Sequence, residues 1–451
     1  MTNTLLVDKY NAPVPRYTSY PTVPNWKSVS NTDRWMSVFS ERFHGENSRD
    51  GISVYIHLPF CESLCTYCGC NKKITTNHSV EAVYTAALEK EWKLYRSMMH
   101  EAPVIRELHL GGGTPTFFAP EMLKQIVSTI LNGSVLHPEY TFSIEGHPNN
   151  TTMTHLEVLA RLGFRRVSYG VQDNDPDVQR IINRIQPLQN VENATRNART
   201  AGFTSVNFDL IYGLPLQSPE SITRTMNDVL PLRPDRIAFY SYAHVPWTSR
   251  AQRLFDESHL PDAATKLEIY EAGRKLLLQA GYREVGMDHF ALPGDELFTS
   301  LEKGQLHRNF MGYTTQHTEL ILGLGVSAIS DTGNAFAQNH KTLHDYYAAI
   351  ERGECAVTRG YFLDDTDIAI RRYITEISCN GFTEFDERDL CMLREKCFEK
   401  LQDLAVDGLI EWDESGLRVT GTGRRFTRNI CSAFDLYLKP SESPGVFSKA
   451  I

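Results

Sequence analysis

The chain has 451 residues, of which 41% are hydrophobic and 22% are charged, a size that allows a large catalytic domain and a smaller second domain. Its net charge of −9 argues against the basic surface that nucleic-acid binding requires, so no nucleic-acid partner is expected. No apolar run approaches the roughly 20 residues of a membrane span, and residues 1–10 lack the regions of a signal peptide. We therefore expect a cytoplasmic protein without a membrane span.

Strand-like runs alternate with helix-like stretches through the first half of the chain. The six strand-like runs lie at residues 54–58, 107–110, 142–145, 167–171, 207–211 and 237–241. The helix-like stretches between them include residues 80–99, 120–131, 155–162 and 219–230. This alternation is typical of parallel βα units, in which functional groups lie at the C-terminal ends of the strands.

The last hundred residues have a different pattern. Helix-like segments at 364–379, 387–390 and 395–407 precede a hairpin-like pair at 409–412 and 417–420, an order that resembles a winged helix. The segment is acidic and has no sustained basic helix, so we favour a lid or docking domain over DNA binding. The sequence thus predicts an N-terminal arm over residues 1–48, a catalytic domain over 49–345 and a C-terminal helical domain over 346–451.

Three cysteines follow the first predicted strand at close spacing. Cys61, Cys65 and Cys68 form a CxxxCxxC pattern, and three thiolates on one loop suit three corners of an iron–sulfur cluster. Structural zinc usually takes two ligand pairs that are farther apart, and no second pair follows nearby. Cys70 leaves one alternative open, in which four thiols close a cluster or bind zinc.

Further candidate ligand-binding residues lie near predicted strand ends. A glycine triplet at residues 111–113 follows the second strand, and glycines let the backbone approach a ligand closely. Glu145 ends the third strand and Asp209 lies in the fifth, both in apolar runs where an unpaired charge is costly. Arg184 is a candidate partner for a carboxylate of the protein or of a ligand.

Together these motifs resemble a known family. The CxxxCxxC loop is similar to that of radical S-adenosylmethionine (SAM) enzymes, and three further motifs resemble oxygen-independent coproporphyrinogen III oxidases, also called coproporphyrinogen dehydrogenases. These motifs are CGCN at residues 68–71, PRYTSYP at 15–21 and HRNF at 307–310. The resemblance runs from about residue 10 to the C-terminus. It implies an α/β fold, a partial (β/α)6 radical SAM barrel with an N-terminal arm and a smaller, mostly helical, winged-helix-like C-terminal domain.

The resemblance also implies the cofactors and their ligands. One [4Fe–4S] cluster would be held by Cys61, Cys65 and Cys68, and its open iron would bind SAM. Two SAM molecules are implied, and the positions that match around one of them are Tyr55, Gly112, Glu145 and Ile329. The positions that match around the other are Tyr67, Gly113, Thr114, Gln172, Arg184, Asp209 and Ala243. Among these residues, the expected catalytic ones are Tyr55, Glu145 and Arg184.

The implied reaction is the oxidative decarboxylation of two propionate side chains of coproporphyrinogen III to vinyl groups, giving protoporphyrinogen IX in haem biosynthesis. A 5′-deoxyadenosyl radical from SAM would abstract a hydrogen from each propionate β-carbon, and an unidentified electron donor and acceptor would take part. We expect a monomer. Positive groups should hold the tetracarboxylate substrate, and the candidates are Arg16, His289, His307 and Arg308. The N-terminal arm is a candidate lid, and Met311 departs from the polar residue that some members carry there.

Other readings share parts of this pattern. A radical SAM enzyme that degrades haem could use the same barrel, and product analysis would separate the two activities. A haem-trafficking relative usually carries an aromatic residue in place of Cys70, so Cys70 and the PRYTSYP motif argue against it. The remaining alternative is a zinc or regulatory protein with a winged helix.

Overall fold

The computed structural model describes residues 3–29, 31–439 and 447–449. Its largest sheet contains all six strands that the sequence predicts, each somewhat longer than the predicted run. In chain order, the strands of the described residues are β1 (Lys27–Ser28), β2 (Ile52–Leu58), β3 (Phe60–Cys61), β4 (Lys73–Ile74), β5 (Val104–Gly112), β6 (Val135–Gly146), β7 (Phe164–Gln172), β8 (Ser205–Tyr212), β9 (Arg236–Ser241), β10 (Arg283–Val285), β11 (His289–Ala291), β12 (His307–Asn309), β13 (Gly312–Thr314), β14 (Ile321–Leu324), β15 (Ile329–Asp331), β16 (Ala335–Asn339), β17 (Val357–Phe362), β18 (Phe382–Glu384), β19 (Ile410–Asp413) and β20 (Gly416–Val419).

The six predicted strands are parallel neighbours. They stand in the order β2-β5-β6-β7-β8-β9, and β14 adds a parallel strand beside β2. Antiparallel strands extend the sheet at both edges: β15, β16, β17 and β1 beyond β14, and β11 and β10 beyond β9. The two ends of the parallel run are not paired with each other in the described residues, so the barrel is partial, as predicted.

Helices between the strands cover the sheet. Four of them match the predicted helices: α3 (Val80–Arg96), α4 (Pro120–Leu131), α5 (Met153–Arg161) and α8 (Pro219–Val229). In chain order, the α-helices of the described residues are α1 (Asn3–Tyr10), α2 (Asp33–Glu46), α3 (Val80–Arg96), α4 (Pro120–Leu131), α5 (Met153–Arg161), α6 (Pro176–Ile181), α7 (Leu188–Thr200), α8 (Pro219–Val229), α9 (Ala263–Gln279), α10 (Glu296–Glu302), α11 (Leu343–Glu351), α12 (Asp365–Asn380), α13 (Leu390–Lys396), α14 (Phe398–Val406) and α15 (Thr427–Ser432).

Strand β2 shows how the sequence builds the barrel. Ile52, Val54, Ile56 and Leu58 are completely buried in the main hydrophobic core. Each apolar side chain of this size contributes about 1.5–3 kcal/mol when fully buried. Since side chains alternate along a strand, Tyr55 and its neighbours two residues away lie on the opposite face. That face carries the polar groups of the barrel interior.

A second hydrophobic core lies in the C-terminal part of the chain. It is formed by α12, α13, α14, α15 and the small sheet β18-β20-β19, in the helix and hairpin order that the sequence predicts. The predicted helix at 387–390 is a 3₁₀ turn that leads into α13. Residues 346–362 pack in the main core through α11 and β17, so the predicted domain boundary at residue 346 falls inside α11.

The N-terminal arm contributes to this second core. Leu6, Val7, Tyr17 and Tyr20 are buried among the C-terminal helices, and the Tyr17 hydroxyl donates to Asp435 Oδ2 at 3.0 Å. The arm is therefore anchored to the C-terminal part of the chain. Among the described residues, no helix combines the length and the apolar character that crossing a bilayer requires.

Candidate active site at the C-terminal ends of the barrel strands

The cysteine loop directly follows β2. β3 pairs with β4 and closes the loop that carries Cys61, Cys65 and Cys68. The Thr114 hydroxyl donates to Cys61 Sγ at 3.3 Å, and Arg184 Nη1 donates to Cys65 Sγ at 3.6 Å. Two groups from distant parts of the sequence thus reach individual thiols of the loop.

The segment around α6 holds the loop from the other side. Asp175 caps α6 by accepting hydrogen bonds from the N–H groups of residues 177 and 178. Beyond the helix, Ile182 accepts a hydrogen bond from the Thr66 N–H at 3.0 Å, and Asn183 Nδ2 donates to the Leu64 carbonyl at 2.9 Å. The loop that carries the thiols is therefore held by residues that follow α6, more than a hundred residues away.

Two of the three thiols, Cys61 and Cys68, have contrasting environments. Burial raises the pKa of Cys61 to about 11. The hydrogen bond from Cys70, with help from Lys72, lowers the pKa of Cys68 to about 6. In the described part of the chain, no three His, Cys, Asp or Glu side chains converge on a point that would bind a single metal ion. The thiols instead line one cavity, which suits a cluster of several metal atoms.

Each glycine of the triplet faces a different neighbour. A Cβ at Gly111 would lie 3.0 Å from Glu145 Oε1, and one at Gly112 would lie 2.7 Å from the His57 ring. A Cβ at Gly113 would lie 2.6 Å from the backbone of Pro59, next to the cysteine loop. The triplet therefore lets β5 end in contact with the loop.

Glu145 lies at the end of β6 and faces the triplet. Its carboxylate accepts a hydrogen bond from the Gly112 N–H at 3.1 Å, and His109 Nε2 lies 3.4 Å away. Burial opposes ionisation, but these hydrogen bonds and the charge of His109 lower the pKa of Glu145 below its usual range. Glu145 is therefore an ionised carboxylate at neutral pH.

Asp209 lies two strands away, on β8. Ser168 Oγ donates to Asp209 Oδ2 at 2.9 Å, and Asn207 Nδ2 donates to Asp209 Oδ1 at 2.8 Å. Burial raises the pKa of Asp209 to about 6 despite the Ser168 hydrogen bond, and the negative charge of Glu145 adds to the increase. The two carboxylates therefore differ in their proton affinity.

Arg184 and Gln172 occupy the rim beyond β7. Arg184 Nη2 donates to the Gly170 carbonyl, while its buried Nε has no hydrogen-bond partner among the described residues. A Cβ at Gly170 would lie 2.5 Å from Gln172 Nε2 and 2.9 Å from Arg184 Nη2, so a larger residue there would displace the ends of both side chains. The free Nε is a donor that a ligand can satisfy.

Tyr55 lies on β2 below Glu145. Its hydroxyl forms a hydrogen bond with His57 Nδ1 at 3.0 Å, and its ring stacks on His109 with a centroid separation of 5.8 Å. Phe310 packs edge-on against the same ring at 5.5 Å. The side chain is thus held between the barrel interior and the HRNF motif.

Two adjacent cavities contain nearly all of the predicted ligand-binding residues. One cavity, of about 460 Å³, is lined by the three cysteines and by Tyr67, Gly113, Thr114, Gln172, Arg184 and Asp209. The other, of about 920 Å³, is lined by Tyr55 and Ile329. The residues that line both cavities are Cys68, Cys70, Lys72, Gly112 and Glu145. Of the four positions predicted around one ligand, Tyr55 and Ile329 line only the larger cavity, whereas Gly112 and Glu145 lie where the two cavities meet.

The other predicted residues lie at various distances from these cavities. The Ala243 carbonyl is joined to the cysteine loop through Gln252, whose Nε2 donates to it at 3.1 Å and to the Tyr67 carbonyl at 2.9 Å. Arg16 reaches the end of β9, and Arg308 holds the arm. His289 lines the barrel interior. In contrast, His307 lines a separate cavity with residues near the N-terminal ends of the barrel strands.

Sequence reasoning missed two histidines of the site, His57 and His109. Both contact predicted residues: His57 bonds to Tyr55, and His109 bonds to Ser143 Oγ at 2.7 Å and faces Glu145. The sequence could have indicated both, because side chains two residues apart on a strand lie on the same face. His57 is two residues from Tyr55 on β2, and His109 lies opposite Tyr55 on the paired strand β5.

The chain is similar to several known proteins. The sequence profile of the radical SAM superfamily matches residues 55–229. Oxygen-independent coproporphyrinogen III oxidases of Pseudomonas aeruginosa and of Escherichia coli K12 are each 38% identical to it over 99% of this chain and 98% of the relative. The solved structure of the Escherichia coli coproporphyrinogen III oxidase, described as a radical SAM enzyme, superposes with a TM-score of 0.90 and 38% identity, covering 96% of this chain and 99% of that one. The chain therefore belongs to the oxygen-independent coproporphyrinogen III oxidase family of the radical SAM superfamily.

Proposed function

We propose that the protein converts two propionate side chains of coproporphyrinogen III to vinyl groups, with loss of CO2, and so forms protoporphyrinogen IX in haem biosynthesis. The observation that carries this proposal is the convergence of three thiols, a glycine triplet, Arg184 and Asp209 on one cavity at the end of the barrel. The similarity to coproporphyrinogen III oxidases extends over almost the whole chain and supports the same activity.

Membership of the superfamily implies a [4Fe–4S] cluster and SAM as cofactors. The residues fit these groups, because Cys61, Cys65 and Cys68 line the cavity and the buried Arg184 Nε has no protein partner among the described residues. When bound, the two cofactors supply a 5′-deoxyadenosyl radical for hydrogen abstraction. We assign the three thiols as the cluster ligands.

The protein groups around the cavity suit the recognition of SAM. Glu145 is ionised and lies beside the Gly112 amide, so it can accept hydrogen bonds from a cationic amino group. Arg184 can donate to a carboxylate or a hydroxyl through its free Nε. Tyr55 closes the space between Glu145 and the HRNF motif. These are the roles that we propose for the three expected catalytic residues.

We further propose two SAM molecules per chain, one in each cavity. The cavities have volumes of about 460 and 920 Å³, within the range of roughly 300–1,000 Å³ that small-molecule sites occupy. Equilibrium dialysis of the reconstituted protein with labelled SAM should give two equivalents. Gln172→Ala in one cavity and Ile329→Trp in the other should each remove about one equivalent. A single equivalent in the wild-type protein would refute this stoichiometry.

The activity is tested by anaerobic incubation of the cluster-reconstituted protein with coproporphyrinogen III, SAM, a low-potential reductant and an electron acceptor. Mass analysis should detect protoporphyrin after oxidation of the products, together with 5′-deoxyadenosine. Cys65→Ala should abolish both products, whereas Cys391→Ala, which changes an exposed cysteine of the C-terminal core region, should retain them. Cleavage of SAM without any change in the porphyrinogen would show that the substrate is wrong.

A further inference from the structure

Three cationic side chains from separate segments meet near the end of β9. Arg16 of the N-terminal arm donates to the Ser241 carbonyl at 2.5 Å. Lys266 of α9 donates to the next carbonyl, that of Tyr242, at 3.1 Å. Arg308 of β12 donates to the carbonyls of Arg16 and Tyr17 at 2.9 and 2.7 Å. The arm, α9 and β12 thus bring positive charge to one point of the barrel mouth.

Two other cations of the fold show the usual pairing with a carboxylate. Arg236 pairs with Asp295 at 2.6 Å, and Arg371 pairs with Asp331 at 2.5 Å. By contrast, within the described residues, Arg16, Lys266 and Arg308 donate only to backbone carbonyls and form no ion pair with a carboxylate. Arg308 Nε is buried with no hydrogen-bond partner there. The three residues are half-buried, and partly desolvated cations without a carboxylate partner favour an anionic ligand.

The acidic residue near these cations is Asp288, which is engaged elsewhere. Its Oδ1 lies 2.7 Å from His289 Nδ1. Burial opposes its ionisation, but His289 and the two nearby arginines, Arg308 and Arg16, keep the pKa of Asp288 low. Asp288 therefore balances part of the local charge without forming an ion pair with Arg16 or Lys266.

The backbone around Lys266 is shaped to admit this side chain. Gly213 has a φ of +83°, and a Cβ there would lie 2.6 Å from Lys266 Cε. Lys266 Nζ lies 5.9 Å from the centre of the Tyr212 ring. Burial and the positive charges of Arg16, Arg428 and Lys449 lower the pKa of Lys266 to about 7. The fold therefore holds an amine among other cations, an arrangement that an anion would stabilise.

This cationic group adjoins the proposed catalytic cavity. Tyr240 of β9 lines the cavity with Asp209 and the cysteines. Burial and the charge of Asp209 raise the pKa of the Tyr240 hydroxyl, and the nearby charges of Arg16 and Arg308 reduce this increase. Coproporphyrinogen III carries four propionates, so it must find positive groups beside the reacting side chain. SAM also carries a carboxylate, so it is the second ligand that could place a carboxylate against these cations.

We propose that Arg16 and Lys266, supported by Arg308, bind a propionate carboxylate of the porphyrinogen at the barrel mouth. This proposal rests on the proposed function and adds where the macrocycle docks. Arg308 is a positioning residue, since it holds the backbone of Arg16 and Tyr17. Because Arg16 comes from the arm and Lys266 from α9, one bound carboxylate would join the arm to the barrel.

The test is a binding titration of the reconstituted protein with coproporphyrin III, the stable oxidised tetracarboxylate, followed by fluorescence. Lys266→Met and Arg16→Gln should each raise the Kd by about tenfold or more, because each removes one charged partner. Lys266→Arg should restore most of the affinity. Lys275→Met, which changes an exposed lysine on the same helix, should have no effect. The uncharged tetramethyl ester should bind wild type and variants alike.

Each alternative has a distinct outcome. Unchanged coproporphyrin affinity in both variants would refute the proposal, and so would a loss of SAM affinity with normal porphyrin affinity, since the bound carboxylate would then be that of SAM. Should Lys266→Met fail to fold, Arg16→Gln decides. The titration needs no turnover, so a protein that binds coproporphyrin III through these residues but does not decarboxylate the porphyrinogen would refute the function and leave the site standing.

Discussion

Replacement of Gly113 by alanine tests whether the end of β5 positions the cysteine loop. The new Cβ would lie 2.6 Å from the Pro59 carbonyl carbon and oxygen and 3.0 Å from the Leu58 oxygen. All three are backbone atoms, so the contact cannot be relieved by a rotamer change. An ordinary contact begins near 3.4 Å, and the two segments must therefore separate by about 0.8 Å.

That displacement acts directly on the proposed cluster site. Gly113 N–H donates to the Leu58 carbonyl at 2.8 Å, and the next residue, Thr114, bonds to the Phe60 carbonyl and to Cys61 Sγ. Overpacking of this kind costs about 1–3 kcal/mol, too little to unfold a protein of this size. A misplacement near 1 Å can nevertheless reduce turnover by about 10²-fold. Gly113→Ala should therefore fold, but bind the cluster and SAM poorly.

The assay measures iron and acid-labile sulfide after reconstitution, the SAM affinity and the rate of 5′-deoxyadenosine formation. Gly294→Ala is the matched control, because a Cβ at this exposed turn meets nothing within 4 Å. It should behave as the wild-type protein does in all three measurements. If Gly113→Ala retained the wild-type cluster content, SAM affinity and rate, the contact between β5 and the loop would not position the site.

Three further predictions concern ionisation and stability. Because the pKa of Asp209 is raised to about 6, kcat/KM should fall as the pH decreases below 6 if the ionised carboxylate is the active form, and Asp209→Asn should give a low, flat profile from pH 5 to 8. Lys266 lies over the Tyr212 ring, and burial together with the charges of Arg16, Arg428 and Lys449 lowers its pKa to about 7. The KM for the porphyrinogen should therefore rise above pH 7, as the amine loses its proton. An equal rise of KM in Lys266→Met would refute this prediction. Gly45→Ala, at an exposed position of α2 with open space around the new Cβ, should stabilise the protein by about 0.5–1 kcal/mol, seen as a higher midpoint in thermal unfolding, and a lower midpoint would contradict it.

Local patterns in the sequence predicted the parallel strands of the barrel well. The six parallel strands were identifiable because each run has an apolar residue at every second position, the pattern of a strand with one face in the core. The cysteine spacing and the glycine triplet lie within short segments, so the loop and its neighbour could be placed without knowledge of the fold. The assignment of the ligand-binding positions to two SAM molecules came from the family resemblance rather than from any local pattern, and it stays a prediction.

Contacts between distant segments could not be predicted in this way. Lys266 meets Arg16 across 250 residues, and nothing in the helical pattern of α9 distinguishes it from Lys275 on the same helix. The sequence suggested a lid role for the arm. It did not predict that the apolar residues of the arm pack into the core of the C-terminal helices, because these residues are few and form no periodic pattern. The role of Gly213 likewise depends on a side chain from another element.

Backbone strain is concentrated around the same site. Among the described non-glycine residues, six have a positive φ. Four of these lie near the site: Tyr17 in the arm, Gln172 and Asn183 at the rim of the cavity, and Ser327 in the loop before β15. Each such residue costs on the order of 1–3 kcal/mol and persists only where its surroundings fix the conformation. Here the fixing contacts come from elsewhere in the chain: Arg308 binds the Tyr17 carbonyl, and Asn183 binds the cysteine loop. The geometry of the loop therefore depends on contacts from distant parts of the chain as well as on the short segment that carries the cysteines.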